Sequence, residues 1–155
     1  MSTWILYYKR LVIIGVGNTL RHDDNVGIEV VRRLKKTLVR DTILLIESES
    51  IPENFIEPIV RFNPSHILII DAALLGLEPG TVKLSNFSEV TTVSISTHTL
   101  PIQLFCSYLS KVTTSKIGLL LIQPKRVSFG VGLSPKINKV VERIVEQLLK
   151  NLEEN

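Results

Sequence analysis

Cysteine is almost absent from this sequence, because its 155 residues include only Cys106. A single cysteine excludes an internal disulfide and any zinc site that needs a cysteine pair. This usage fits a reducing compartment, and we expect a cytoplasmic protein. Cys106 lies beside Phe105 in an apolar helical pattern with no adjoining histidine or basic residue, which predicts a buried small hydrophobe and not a nucleophile.

Long apolar runs are also lacking, although the mean hydropathy of +0.26 is high. Runs such as residues 67–70 and 119–122 have the length of strands, whereas a membrane span needs about 20 apolar residues. We therefore expect no membrane span. No basic region precedes residues 4–8 and no small-residue cleavage site follows them. We expect no secretory signal and treat residues 1–9 as a short N-terminal extension.

Long basic runs and linkers are equally missing. Lys and Arg number 18 against 15 for Asp and Glu, a net charge of +3, and no basic run exceeds two residues. This even spread argues against an electrostatic nucleic-acid clamp. Apolar residues make up 45% and charged residues 21%, which excludes a wholly disordered chain. Without repeats or a linker, the length indicates one domain over residues 1–155, in which an α/β domain at residues 10–152 follows the short extension.

Strands and helices are predicted to alternate along the chain. Continuous apolar runs, typical of strands buried on both faces, and shorter β-branched segments predict strands at residues 11–16, 42–46, 67–72, 81–84 and 116–122. Apolar residues at helical spacing follow most of these strands. This order predicts an α/β fold, a three-layer αβα sandwich with a mostly parallel twisted sheet covered by helices on both faces.

Local signals mark the ends of several helices. Ser50 and Glu53 fit a capping box that opens the second helix, and Pro58 predicts a kink or a break within it. Ser134 and Pro135 supply an N-cap and a first-turn proline for the last helix. The two acids Asp23 and Asp24 precede the first helix, as the helix dipole favours.

Acidic residues and a histidine are placed where a parallel sheet binds ligands. Asp23 and Asp24 follow the first strand, Asp71 ends the third, and His98 precedes a helix. The carboxyl ends of parallel strands share one edge, so these side chains can meet there. Two carboxylates and one imidazole suit a divalent transition metal with open positions. Separate structural roles, as helix-terminal acid, loop-bonded carboxylate and polar loop residue, are the alternative.

The loop Gly15-Val16-Gly17-Asn18 resembles the opening of a dinucleotide fingerprint. The third glycine of that fingerprint would stand where the chain has Leu20, and the loop would turn His22, Asp23 and Asp24 toward a pyrophosphate. We therefore expect no NAD or ATP binding, and a nucleotide-binding α/β protein is the less favoured alternative.

Three segments together resemble the signatures of the [NiFe]-hydrogenase maturation endopeptidases. They are Gly15-Val16-Gly17-Asn18 with Asp23-Asp24 and Gly27, then Ile69-Ile70-Asp71-Ala72, then Thr97-His98-x-x-Pro101. Further matches resemble the subgroup that processes formate hydrogenlyase-type hydrogenases, namely Pro52-Glu53-Asn54, Gly76-Leu77-x-Pro79-Gly80, Ile122-Gln123-Pro124, Phe129-Gly130 and Leu133-Ser134-Pro135. The segments occur in the family's order from about residue 11 to residue 150.

The resemblance implies an endopeptidase that removes the C-terminal extension of a hydrogenase large-subunit precursor after nickel insertion. By position, the family's metal-binding residues become Asp24, Asp71 and His98, and the nickel is carried by the precursor. Asp23 or Asp24 is a candidate general base. We expect a monomer. The alternative from another class is a non-catalytic, metal-dependent module that docks on the loaded hydrogenase subunit.

Two positions depart from the family pattern. Asn25 replaces the usual glycine after the paired acids, and asparagine tolerates a left-handed backbone. The usual Asp-Gly-Gly after the second strand is Glu47-Ser48-Glu49. The remaining histidines have local interpretations: His22 is a solvated partner of the adjacent acids or an extra ligand or base, and His66 is a structural residue at the amino edge of the sheet.

Overall fold

A computed structural model describes residues 3–49, 52–87 and 99–155. Within them lies a five-stranded sheet in the order β2-β1-β3-β5-β4. The strands are β1 Leu11–Val16, β2 Ile43–Ser48, β3 His66–Ala72, β4 Val82–Asn86 and β5 Lys116–Ile122. The first three and β5 pair in parallel, and β4 is an antiparallel edge strand beside β5.

Helices cover both faces of this sheet. They are α1 Val26–Thr37, α2 Ile56–Phe62, α3 Thr99–Val112 and α4 Pro135–Glu153, with 3₁₀ segments at Thr3–Tyr7, His22–Asn25 and Pro52–Phe55. One apolar core lies between the sheet and α1 with α4, and the other lies between the sheet and α2 with α3. The predicted three-layer α/β sandwich is therefore confirmed.

The continuous apolar runs follow from burial on both faces. In β1, Leu11 and Ile13 belong to the core under α1 and α4, while Val12 and Ile14 belong to the opposite core. Because successive side chains of a strand point to opposite faces, a central parallel strand has no solvent face to occupy with polar residues.

Two predicted details of the helices can be compared with the structure. The predicted second helix is divided into the 3₁₀ segment Pro52–Phe55 and α2, and Pro58 lies in the first turn of α2, where its missing N–H is not needed. Ser134 stands at the N-cap of α4 and Pro135 lies in its first turn, as predicted, although the Ser134 side chain makes no capping hydrogen bond to that helix. The capping box proposed for Ser50 and Glu53 begins outside the described residues.

The segment before β1 packs onto the sheet. Ile5 and Tyr8 are buried in the core under α1 and α4. The Trp4 ring packs edge-on to the His66 ring at 5.1 Å between centroids. Trp4 also lies against Gly118 of β5, where a Cβ would come within 3.1 Å of the indole. His66 thus has the structural role expected for it, at the amino edge where β3 begins.

No helix in the described ranges combines the length and the apolar character that a membrane crossing requires.

Candidate active site

Three glycines let the start of α1 approach the carboxyl edge of the sheet. A Cβ on Gly15 would lie 2.1 Å from the Gly27 carbonyl oxygen, and one on Gly27 would lie 2.1 Å from the carbonyl oxygen of Ile70. A Cβ on Gly17 would lie 2.1 Å from the Asp24 carbonyl oxygen. The glycine-rich loop is thus occupied by the chain's own backbone, and its close packing brings the residues before α1 up to the end of β3.

Asp71 is a buried carboxylic acid at the end of β3, with 2% of its surface exposed. Burial first, and the nearby charge of Asp24 second, raise the pKa of Asp71 well above its usual range, although the backbone N–H of Ala72 opposes the rise. Its Oδ1 has no hydrogen-bond partner within the described residues. A buried oxygen of this kind is ready to accept a ligand or a proton.

Asp24 is the second acid of this edge. It lies in the 3₁₀ segment His22–Asn25, directly before α1, and is buried. Its charge contributes to the raised pKa of Asp71, which links the two acids electrostatically. A pair of neighbouring acids in which one resists ionisation is typical of functional sites.

Asp23 has a different environment from that of its neighbour. Its Oδ2 accepts hydrogen bonds from the backbone N–H groups of Lys125 and Arg126 at 3.0 and 2.8 Å, and from the Ser134 hydroxyl at 2.7 Å. Its Oδ1 accepts one from the Ser134 backbone N–H at 2.7 Å. We name these four bonds the Asp23 clasp. They join the loop before α1 to the loop after β5 and engage both oxygens of a fully buried carboxylate.

The clasp continues along the two loops through His22. Its backbone N–H donates to the Gly130 carbonyl oxygen at 3.0 Å, and its Nδ1 lies 3.0 Å from the Gly132 carbonyl oxygen. His22 adopts a left-handed backbone with φ 44°. Asn25 has φ −84°, in the right-handed helical region, so the expectation that it supplies a left-handed residue is wrong.

The loop after β3 is held by Gln123, which directly follows β5. Its Oε1 accepts hydrogen bonds from the backbone N–H groups of Leu75 and Leu77, at 2.6 and 3.4 Å. Its own backbone pairs with Thr81 and Gly80. Gln123 is buried, and it fixes the chain that leaves the carboxyl edge of the sheet after Asp71.

Glu47 and Ser48, at the departure from the family pattern, have separate roles. Burial alone would raise the pKa of Glu47, but hydrogen bonds from Lys35 and Arg32 lower it. The Arg32 Nε–Oε1 distance is 2.6 Å and the Lys35 Nζ–Oε2 distance is 2.8 Å. Glu47 therefore fastens β2 to α1. Ser48 is buried at the carboxyl end of β2, and its Oγ has no partner among the described residues.

The remaining residues singled out by the sequence lie elsewhere or outside the described chain. His98 directly precedes α3 and is outside the described residues. No group of three histidine, cysteine or acidic side chains arranged to hold a metal occurs in the part of the chain that the structure describes. Cys106 is buried in α3, and burial raises the pKa of its thiol to about 12, in agreement with the prediction of an inert hydrophobe.

Sequence reasoning missed the roles of Gln123 and Ser134. Both stand in segments that match the family pattern, but their partners Leu75 and Asp23 are 48 and 111 residues away along the chain. A proline after a serine is a signal for a helix start, and it carries no information about a distant carboxylate. The useful signal for Asp23 was its position beside Asp24 at the end of a buried strand.

Comparison with known proteins identifies the family. Residues 28–151 match the family described as HycI, hydrogenase maturation protease. A Methanocaldococcus jannaschii protein named as a hydrogenase maturation protease is 37% identical over 94% of this chain and 90% of its own length. The hydrogenase 3 maturation protease of Escherichia coli is 28% identical, over 88% and 87%.

A solved structure gives the same assignment. The crystal structure of a [NiFe] hydrogenase maturation protease, HycI, from Thermococcus kodakarensis superposes with a TM-score of 0.85 and 30% sequence identity, over 94% of both chains. The resemblance found in the sequence motifs is thus confirmed over nearly the whole length. This chain belongs to the HycI family of hydrogenase maturation proteases.

Proposed function

We propose that this protease removes a C-terminal extension from the large-subunit precursor of a [NiFe] hydrogenase once nickel has been inserted. Family membership supports the reaction, and the buried Asp71 oxygen without a hydrogen-bond partner is the observation that supports its place. Asp24 and Asp71 contact the nickel carried by the precursor, and His98 completes the set. This peptidase is metal-dependent through its substrate.

The chemistry of the two acids fits such a contact. Carboxylates bind a divalent metal in their ionised form, and binding to a protonated acid releases the proton. Asp71 resists ionisation while it faces Asp24 alone, because burial and a like charge both oppose a second negative charge. A bound cation reverses this balance, so the edge gains its full negative charge only when a metal-bearing precursor arrives.

The clasp assigns Asp23 a supporting role in this proposal. Its carboxylate already accepts four hydrogen bonds, so it is poorly placed to take a proton from water. Asp24 is the candidate for the general base that we retain, since its charge acts on Asp71. Asp23 holds the loop on which Asp24 stands.

The experiment compares two forms of one precursor. Metal-free enzyme is mixed with purified large-subunit precursor, with or without inserted nickel, and loss of the extension is followed by mass spectrometry. We expect cleavage of the nickel-loaded form only, and free nickel added with the nickel-free form does not substitute. Equal cleavage of both forms contradicts the nickel requirement. Binding of the loaded precursor without any shortening favours the non-catalytic docking module.

A further inference from the structure

Three exposed apolar side chains lie on the two loops that the Asp23 clasp joins. Leu20 is 58% exposed, and Phe129 and Val131 are each 79% exposed. Large apolar residues on a loop surface lose contact with water only when something covers them, so a group of them marks an interaction site. We name Leu20, Phe129 and Val131 the apolar edge strip.

Backbone hydrogen bonds hold the strip together across two loops. The Gly130 N–H donates to the Leu20 carbonyl oxygen at 2.9 Å, and the His22 N–H donates back to the Gly130 carbonyl oxygen. Arg21 and Gly130 form a parallel β-bridge. Phe129 and Val131 flank Gly130, so the register of this bridge places Phe129 beside Leu20 and Val131 one position further along, beside His22.

Hydrogen bonds hold the backbone beneath the strip in place. The Asp23 clasp ties the two loops together immediately beyond the bridge, and the Arg21 Nε donates to the Val127 carbonyl oxygen at 3.1 Å. A surface that is already ordered loses little conformational entropy on binding, so its apolar area contributes to affinity. These contacts also connect the strip to Asp24, which stands four residues after Leu20.

The charges around the strip indicate the chemistry of its partner. The Arg21 guanidinium carbon lies 5.4 Å from the centre of the Phe129 ring, and Lys125 and Arg126 are exposed on the adjoining loop. Asp23 and Asp24, the acids of this region, are buried. The accessible surface is therefore apolar and basic, and it is complementary to apolar side chains with acidic neighbours.

We propose that the apolar edge strip docks the hydrogenase precursor, through an apolar segment of its surface that carries acidic side chains. This proposal rests on the proposed function. The contact presents the precursor to Asp24 and Asp71. A second copy of this chain is a poorer occupant, because a symmetric contact would bring Arg21, Lys125 and Arg126 of both copies together.

The test measures kinetic constants on nickel-loaded precursor. Phe129→Ser and Leu20→Ser remove apolar area from the strip without touching the core. We expect each to raise KM about tenfold or more while kcat at saturation stays near the wild-type value, since each variant loses a large apolar side chain that the docked precursor covers. Arg126→Gln raises KM less, and its effect shrinks at high salt because the charge is screened.

Val39→Ser is the matched control. Val39 is 88% exposed, but it lies between the end of α1 and the start of β2, at the opposite edge of the sheet. We expect its KM to equal the wild-type value. Unchanged KM in Phe129→Ser and Leu20→Ser overturns the strip as a docking site, and so does a loss of kcat at unchanged KM.

Two further readouts separate this proposal from its alternatives. Precursor binding, measured by biolayer interferometry, tests the strip even where nothing is cleaved, so failure of the peptidase proposal is recognised independently. Sedimentation of the free enzyme measures its oligomeric state and so tests whether a second copy of this chain covers the strip. A wild-type dimer that Phe129→Ser converts to monomer, with precursor binding unchanged, overturns docking of the precursor and assigns the strip to a second copy.

Discussion

Asp23 and Asp24 are adjacent in the chain but have different surroundings. Four hydrogen bonds engage both oxygens of Asp23, whereas the charge of Asp24 acts on Asp71. The first acid therefore joins two loops, and the second is the acid that we propose for the reaction. The sequence shows that two acids stand together before α1. It does not show which of them is hydrogen-bonded in the clasp, because the donors of the clasp lie in a loop about 100 residues later.

Asp23→Asn tests the clasp. The amide preserves the volume, but its nitrogen cannot accept a hydrogen bond, so at least one backbone N–H loses its partner. We expect a loss of about 2 kcal/mol in the free energy of unfolding, measured by urea denaturation. Ser134→Ala removes one of the four bonds and costs about 1 kcal/mol. An Asp23→Asn variant as stable as the wild type contradicts the clasp.

Asp71→Asn changes stability in the opposite direction. The raised pKa means that folded Asp71 stays protonated at pH values where the unfolded residue, with its usual pKa of 3.8, is ionised. Folding of the wild type therefore loses stability as the pH rises from 3.8 toward the folded pKa. Asparagine does not ionise, so we expect the variant to be at least as stable at pH 7, with the difference vanishing near pH 4. Urea denaturation at the two pH values measures this, and destabilisation at pH 7 contradicts it.

At the scale of elements, the start of α1 is fixed by backbone contact with β1 and β3. A Cβ on Gly27 would lie 2.1 Å from one carbonyl oxygen and 2.6 Å from another, and backbone atoms there cannot yield independently. The sequence pattern Gly-x-Gly predicts that something packs closely against the backbone of this loop. It does not tell whether a bound phosphate or a helix of the same chain makes that contact. In this fold the helix occupies the position.

Gly27→Ala displaces α1 from the sheet. We expect a loss of about 2 kcal/mol or more in stability by urea denaturation, because the added methyl overpacks a rigid contact. Gly118→Ala is the comparison, since its Cβ would meet only the Trp4 side chain at 3.1 Å, and a side chain can move. Equal effects of the two substitutions contradict the account of α1.

The thiol of α3 offers a test of core burial. Cys106 is completely buried and its pKa is raised to about 12, so native protein contains almost no accessible thiolate at pH 8. We expect no alkylation by iodoacetamide until urea unfolds the chain. Mass spectrometry measures the added group, and rapid modification of folded protein contradicts the buried position.

For the whole molecule, predictions succeeded where one residue pattern has one structural cause. The strands β1 and β5 were predicted with their observed limits, since burial on both faces requires an unbroken apolar run. β2 is only partly buried, so no unbroken apolar run marks where it ends. It continues to Ser48, two residues past the predicted end, because Ser48 pairs with Val16 of β1. The Asp23 clasp and the Gln123 contacts also depend on partners that are distant in the sequence, so no local sequence pattern predicts them.

The acid pair is the central claim, and one processing assay tests it most directly. Nickel-loaded precursor is incubated with wild type, Asp71→Asn or Asp24→Asn, and the fraction of shortened subunit is measured by mass spectrometry. Asp41→Asn, at an exposed acid between α1 and β2, is the control. The account predicts that both site variants fold and bind precursor yet lose processing at least about a hundredfold, as removal of a reacting group does, while the control cuts normally. A folded Asp71→Asn variant that processes at the wild-type rate would contradict it.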